Sequence, residues 1–207
     1  MQVAPANALL RASLFALAAA LVQGCASTED IRCAITDINR EFQQQYERIL
    51  AEKGTRTFNV KPAEAFVGTR SALFRLGLRL ESQDPDLGLL TVAAPAPTPL
   101  SQEEWKFVAQ ADLPMMQRLA VRCVGLSGWL LKFEPEGLEI VITATVLPAP
   151  GGSEISLTAR MRQVTPPPSG MPRREYAPPT GVHKALDKMW AQIEKELGVL
   201  GVRGRSP

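Results

Sequence analysis

One histidine, His183, serves the whole chain of 207 residues, and cysteine is scarce, with only Cys25, Cys33 and Cys123. A multi-histidine metal centre is excluded, and any serine or cysteine nucleophile with an imidazole base would have to rest on that one side chain. The cysteines form no Cys-x-x-Cys pair, which removes thioredoxin-type redox chemistry and paired-thiolate zinc sites. No glycine-rich phosphate loop is present. Twenty-three lysines and arginines face 21 acids without a long basic run, so the chain lacks the electrostatic footprint of a nucleic-acid binder. Uninterrupted apolar sequence is also short. The run over residues 12–22 (ASLFALAAALV) falls well below the ~20 residues that a membrane-crossing helix needs.

Several fragments of catalytic or metal motifs are incomplete. Gly125-Leu126-Ser127-Gly128 is one residue short of a Gly-x-Ser-x-Gly elbow. Asp84 and Asp86 begin like a calcium loop but lack its third ligand, glycine spacing and closing glutamate, so a turn is expected there. Glu103/Glu104 fit a helix start and Glu134/Glu136 flank a turn; neither pair is placed for acid–base work by its sequence context. His183 is expected as a solvent-facing residue at a helix start. The sequence points to no metal, no cofactor and no enzyme.

What is present begins with targeting. Residues 1–24 carry Arg11, no acid, and then the apolar run. That order suits a signal peptide better than a buried helix. Leu21-Val22-Gln23-Gly24-Cys25 resembles the lipobox of bacterial lipoproteins, which has an aliphatic residue three before the cysteine and a small one just before it. Val22, Gly24 and Cys25 match; Gln23 departs from the usual small or aliphatic residue. The resemblance implies cleavage before Cys25 and lipidation of that residue. Two or three acyl chains, at about 0.8 kcal/mol per buried methylene, make such attachment essentially permanent. Ala26 after the cysteine implies sorting to the outer membrane, with the domain facing the periplasm.

Residues 27–30 (STED) read as a helix start with a hydroxyl cap and early acids. Ile31, Ile35, Ile38, Phe42, Tyr46 and Ile49 follow at steps of three and four, and Gly54 ends the helix. The stripe either packs on the domain behind it, the preferred reading, or forms a partner-binding stem. Beyond it the spacing predicts a strand over 55–60, with Phe58 and Val60 inward, a helix over 62–76, and a hairpin of half-buried strands over 78–82 and 89–94. Pro95, Pro97 and Pro99 predict a stiff extended connection. Ser101 and Glu104 have capping-box spacing, and Pro114 predicts a break into two helices around 112–114. Trp129, Leu131 and Phe133 alternate like the first strand of a three-stranded meander that continues over 138–146 and 155–161. A last helix should bury Val182, Leu186, Met189, Trp190, Ile193 and Leu197, with Leu186, Trp190 and Ile193 on Ile140, Ile142, Leu157 and Met161.

The sum is an α+β domain: an antiparallel sheet packed on one side by helices. The two halves of the pattern leave open whether they form two lobes. The organisation expected is a signal peptide over 1–24, a lipid-anchored helical stem over 25–54, the globular domain over 55–198 and a flexible tail over 199–207. The globular part loosely resembles the helix-grip domains of envelope-assembly lipoproteins such as BamC, with no shared motif, so the likeness concerns architecture.

With Cys25 acylated, Cys33 and Cys123 remain. An oxidising compartment permits a disulfide, but their place in separate helical stretches favours two buried free thiols. Arg160, Arg162, Arg173 and Arg174 are either a solvated face or a docking patch. Two functional readings follow. The first is a lipid-tethered structural or interaction module that docks on other envelope proteins, with Arg173, Arg174 and Tyr176 in the proline-rich segment 166–179 as contact residues; the alternative for that segment is a strap crossing the core with Tyr176 tucked under. The second is a carrier of an apolar ligand in a pocket lined by Met115, Met116, Met161 and Trp129.

Overall fold

The structure is a computed structural model that describes residues 26–198. Cys25, the expected signal peptide and the expected tail lie outside the described residues. The fold is α+β, with a five-stranded antiparallel sheet covered on one face by helices. Among the described residues, no helix is long and apolar enough to cross a membrane.

Helix α1 spans Thr28–Lys53, β1 Thr55–Phe58, α2 Pro62–Arg75, β2 Arg79–Asp84 and β3 Leu89–Pro95. Helix α3 then spans Gln102–Val124 and runs into a 3-10 segment, Gly125–Leu130. Strands β4, Leu138–Ala149, and β5, Gly152–Gln163, precede α4, Pro179–Glu196. The sheet order is β1-β5-β4-β3-β2, so both halves of the sequence share one sheet rather than forming two lobes. Register places Val92 opposite Ile142, and Ile142 opposite Ala159. Leu138, Ile140, Ile142, Ala144 and Val146 alternate inward on β4; Ile155, Leu157, Ala159 and Met161 do so on β5. They meet Leu186, Met189, Trp190 and Ile193 of α4 in one core, which also takes Phe42, Tyr46 and Ile49 of α1. The indole N–H of Trp190 is satisfied by the Lys53 carbonyl at 2.7 Å.

Both sheet edges are shielded. β1 is four residues long, while β2 is exposed, polar and irregular in register between Leu80 and Ser82, all of which discourages pairing with another chain. The expected hairpin forms, with β2 antiparallel to β3, but the half-burial expected of its first strand is corrected: Leu78 is buried just before β2, whereas Leu80 is exposed at the edge. The turn that follows forms as expected, with Asp84 Oδ1 accepting the amides of Asp86 and Leu87 at 3.1 Å each and Gly88 at positive φ.

Four further expectations are corrected. Residues 95–100 do not extend; Thr98 donates to the Pro95 carbonyl and Leu100 to that of Pro97, in consecutive turns with cis bonds at Ala96-Pro97 and Thr98-Pro99. Pro114 lies inside a continuous α3. Pro114 and Gln110, whose carbonyl loses its partner, are both on the exposed side, where water can substitute, and the stripe of Trp105, Val108, Met116 and Ala120 stays buried. Trp129, Leu131 and Phe133 form no strand: β4 is already paired on both sides, and Gln117 of α3 donates to the Trp129 carbonyl at 2.8 Å. Finally, Cys33 and Cys123 are not free thiols but a disulfide joining α1 to α3, with Cα atoms 5.8 Å apart. The two helices lie side by side, a neighbourhood that their separation of 90 residues in sequence concealed.

Candidate functional site: an apolar groove and its proline-rich strap

The stripe of α1 changes character along its length. Ile38, Phe42, Tyr46 and Ile49 are buried, whereas Ile35 is half-buried and Ile31 is 39% exposed. These first turns form one wall of a groove of about 570 Å³. Val124, Leu130 and Leu131 supply the opposite wall, and Pro167, Met171 and Pro172 the rim. The lining is almost wholly apolar and the size falls within the ~300–1,000 Å³ typical of ligand pockets. Ala26, the first described residue, is among the lining residues.

The disulfide fixes the two helical walls, since Cys33 precedes Ala34 and Cys123 precedes Val124, both groove residues. Asp37 Oδ2 sits 4.0 Å from the Cys123 sulfur, giving a Cys33, Asp37, Cys123 cluster. With both sulfurs in the disulfide, Asp37 is the one anionic donor left in that trio, which is too little for a transition-metal site.

The segment 164–178, expected as either a partner-binding loop or a strap, runs across α1 and the end of β5. Arg32 Nε donates to the Gly170 carbonyl at 2.7 Å, and Asn39 Nδ2 to that of Arg173 at 2.8 Å. The Met161 amide donates to the Glu175 carbonyl at 3.1 Å. Its prolines limit the freedom of the unfolded chain, so these few bonds can hold it. Arg173 has an exposed side chain. Arg174 is half-buried, with its guanidinium 5.8 Å from the Phe133 ring centre, and burial lowers its pKa. It lines the groove, so of the expected contact residues it is the one that reaches it. Tyr176 turns under the strap, its ring 5.6 Å from that of Tyr46. Burial raises the Tyr46 pKa, while its hydroxyl accepts the Ala159 amide at 3.2 Å. Arg162 lies on the wet face of the sheet, paired with Glu139 at 2.6 Å and with Glu81.

The pocket expected from methionines and Trp129 does not form. Met116 and Met161 are core residues, and Trp129 is half exposed on the 3-10 segment. The groove went unrecognised in the sequence because its two helical walls come from segments more than 80 residues apart. The available signal was Met171 set among prolines, with Ile31 and Ile35 at the start of the stripe.

A second, polar cleft of about 280 Å³ lies at the other end of α1, with Arg48, Glu52, Asp112, Thr180 and His183. His183 is therefore half-buried on a cleft wall, a correction to its expected solvent-facing position. Asp112 accepts the Thr180 amide at 2.9 Å and its hydroxyl at 2.8 Å, capping α4, whose own N-cap residue, Pro178, supplies no side-chain cap. Burial raises the Asp112 pKa, and the Thr180 bonds and His183 oppose it. Comparison with protein-family models, curated proteins and solved structures finds no significant match, so the groove stands on its geometry alone.

Proposed function

We propose that this protein is a lipid-anchored component of the cell envelope, tethered through Cys25, and that it acts as an interaction or assembly module by contact rather than by catalysis. The observation that carries the contact reading is the apolar groove of about 570 Å³, left uncovered by the chain's own described residues. Exposed apolar surface of that kind marks binding sites on soluble domains. Its rim is a proline-restricted strap, so holding a partner there costs little additional ordering. Arg174 supplies a cation on the groove wall, and the neighbouring Arg173 is exposed. The partner fitting this surface is an apolar segment of another envelope protein with acidic flanks.

The test uses the intact chain in growing cells, with a photoactivatable residue in place of Met171. A discrete protein adduct that Ile35→Asp removes is the expected result. Adducts no different from those of a probe at Thr143, on the wet face of the sheet, would overturn contact at the groove. The anchor is tested separately: Cys25→Ala should abolish acyl labelling, and an unlabelled wild-type protein would end the lipoprotein reading.

A second reading, binding of an apolar small molecule, is favoured by the lining of the same groove. Its signature in the same experiment is a lipid-sized adduct in place of a protein one.

A further inference from the structure

The 3-10 segment Gly125–Leu130 concentrates exposed apolar side chains. Leu126 is 83% exposed, Leu130 80% and Trp129 50%, three large apolar residues within five positions. Burial in the described fold explains none of them, although the backbone beneath them is firmly held. Gly125, at φ 61, ends α3, and Gly128 is packed so tightly that a Cβ there would lie 2.5 Å from the Val121 nitrogen. Gln117 anchors the Trp129 carbonyl, and Ser127 Oγ donates to the Val124 carbonyl at 2.6 Å. A rigid backbone thus presents an apolar crest outward.

The surrounding charge has one sign in sequence. From residue 113 to 133 the chain contains Arg118, Arg122 and Lys132 and no acid, and all three cations are exposed. Ser127, Gly128 and Leu130 line the same groove as Ala26, the residue that follows Cys25. A lipid on Cys25 would hold this end of the domain within a few residues of the bilayer.

We propose that Gly125–Leu130 is a membrane-contact element: Leu126, Trp129 and Leu130 seat in the boundary between headgroups and acyl chains of the bilayer that carries the anchor. The proposal rests on the lipid-anchor reading for its orientation. Tryptophan with leucines is the composition that interfacial segments use, since the indole offers both an apolar body and an N–H for the headgroup region. Arg118, Arg122 and Lys132 supply attraction to anionic headgroups. A second attachment point fixes the rotation of the domain about its tether, and the groove then opens at the membrane surface, where an apolar partner segment arrives.

Trp129 is its own reporter, because Trp105 and Trp190, the other two tryptophans, are buried. The purified full-length protein is weighed intact for acyl mass and reconstituted in vesicles of phosphatidylethanolamine and phosphatidylglycerol, some with brominated acyl chains. Bromine should quench part of the tryptophan emission, Trp129→Phe should abolish that part, and the double variant Leu126→Ser/Leu130→Ser should reduce it. Both serine sites are exposed, so the fold is retained. Emission untouched by bromine but quenched by aqueous acrylamide would overturn membrane contact. Absence of acyl mass would fail the anchor reading independently. Unlipidated protein that still binds the vesicles and shows bromine quenching would preserve the contact element; unlipidated protein that stays in solution would overturn both.

Discussion

Helices α1 and α4, the first and last among the described residues, carry nearly the same apolar rhythm and meet different fates. In α4, Val182, Leu186, Met189, Trp190 and Ile193 are all buried against the sheet. In α1 the rhythm runs from Ile31 to Ile49, yet burial is complete only from Ile38 onward. Helix α4 lies over the sheet along its whole stripe, whereas the first turns of α1 look across a groove at the end of α3 and the strap. An apolar stripe therefore states that something covers it, without stating that the same chain does. At the α4 end the chain completes its own core; at the groove end the described residues leave apolar surface open.

The sharpest test of that difference is a pair of substitutions. Leu186→Ala at the closed end should cost about 2–5 kcal/mol in chemical denaturation, as for a fully buried leucine. Ile31→Ser at the open end should stay within about 0.5 kcal/mol, as for an exposed residue. Equal costs would erase the distinction and place Ile31 in the working core.

The groove end has its own brace. The Cys33–Cys123 disulfide closes a loop of 90 residues in sequence separation, so replacing both by serine should cost about 2–4 kcal/mol. Hydrogen exchange should then rise in the first turns of α1 and the last of α3, while α4 remains protected. Loosening spread evenly over the molecule would show that the two ends are not separable.

A smaller effect is expected at Gly128. Its missing Cβ lets the 3-10 segment lie directly on α3, and alanine would meet the Val121 nitrogen at 2.5 Å and the Ala120 carbonyl carbon at 2.8 Å. Because backbone cannot step aside like a side chain, Gly128→Ala should cost about 1–3 kcal/mol. It should also raise acrylamide quenching of Trp129 in the lipid-free state. An unchanged melting temperature would mean that the segment floats above α3 and that the groove wall is adjustable.

The closed end was legible in the sequence and the open end was not, for a physical reason. Ile140, Ile142, Leu157, Leu186, Trp190 and Ile193 follow strict strand or helix periods, and such periods report which face is buried. The α+β class and the partnership of α4 with the sheet follow from them. Trp129, Leu131 and Phe133 show the same period without being a strand, because three residues of alternation cannot reveal that β4 has no free edge. Pro114 misled by its local chemistry: the cost of a missing hydrogen bond is visible in sequence, but the neighbours that hold α3 continuous are not. The groove, the disulfide and the Asp112 cap each join residues far apart in the chain. Arg174 and Tyr176 are residue types that anchor interfaces, and the sequence leaves open whether their segment meets a partner or straps the core; the structure places Arg174 over Phe133 and Tyr176 against Tyr46.

The smallest expected effect concerns how α4 begins at the closed end. Asp112 caps α4 through Thr180, and burial raises its pKa above the ordinary 3.8. The sign follows from linkage: the folded state holds the proton more tightly than the unfolded chain, so this contribution is fully present below pH 3.8 and is lost as pH rises through the raised value. His183, Arg48 and Glu52 share the cleft; the His183 charge acts against the rise, but burial is the larger influence. Asp112→Asn removes the charge and keeps one acceptor oxygen for the Thr180 amide, while its Nδ2 can donate to the Thr180 hydroxyl in place of the second accepted bond. Melting temperatures measured from pH 3 to 7 should show wild type falling relative to the Asn variant as pH increases, with the two closest at the acid end. Parallel curves would mean that water already solvates the carboxylate. The cleft beside α4 would then be as open as the groove, and the contrast between the two ends would reduce to one of polarity.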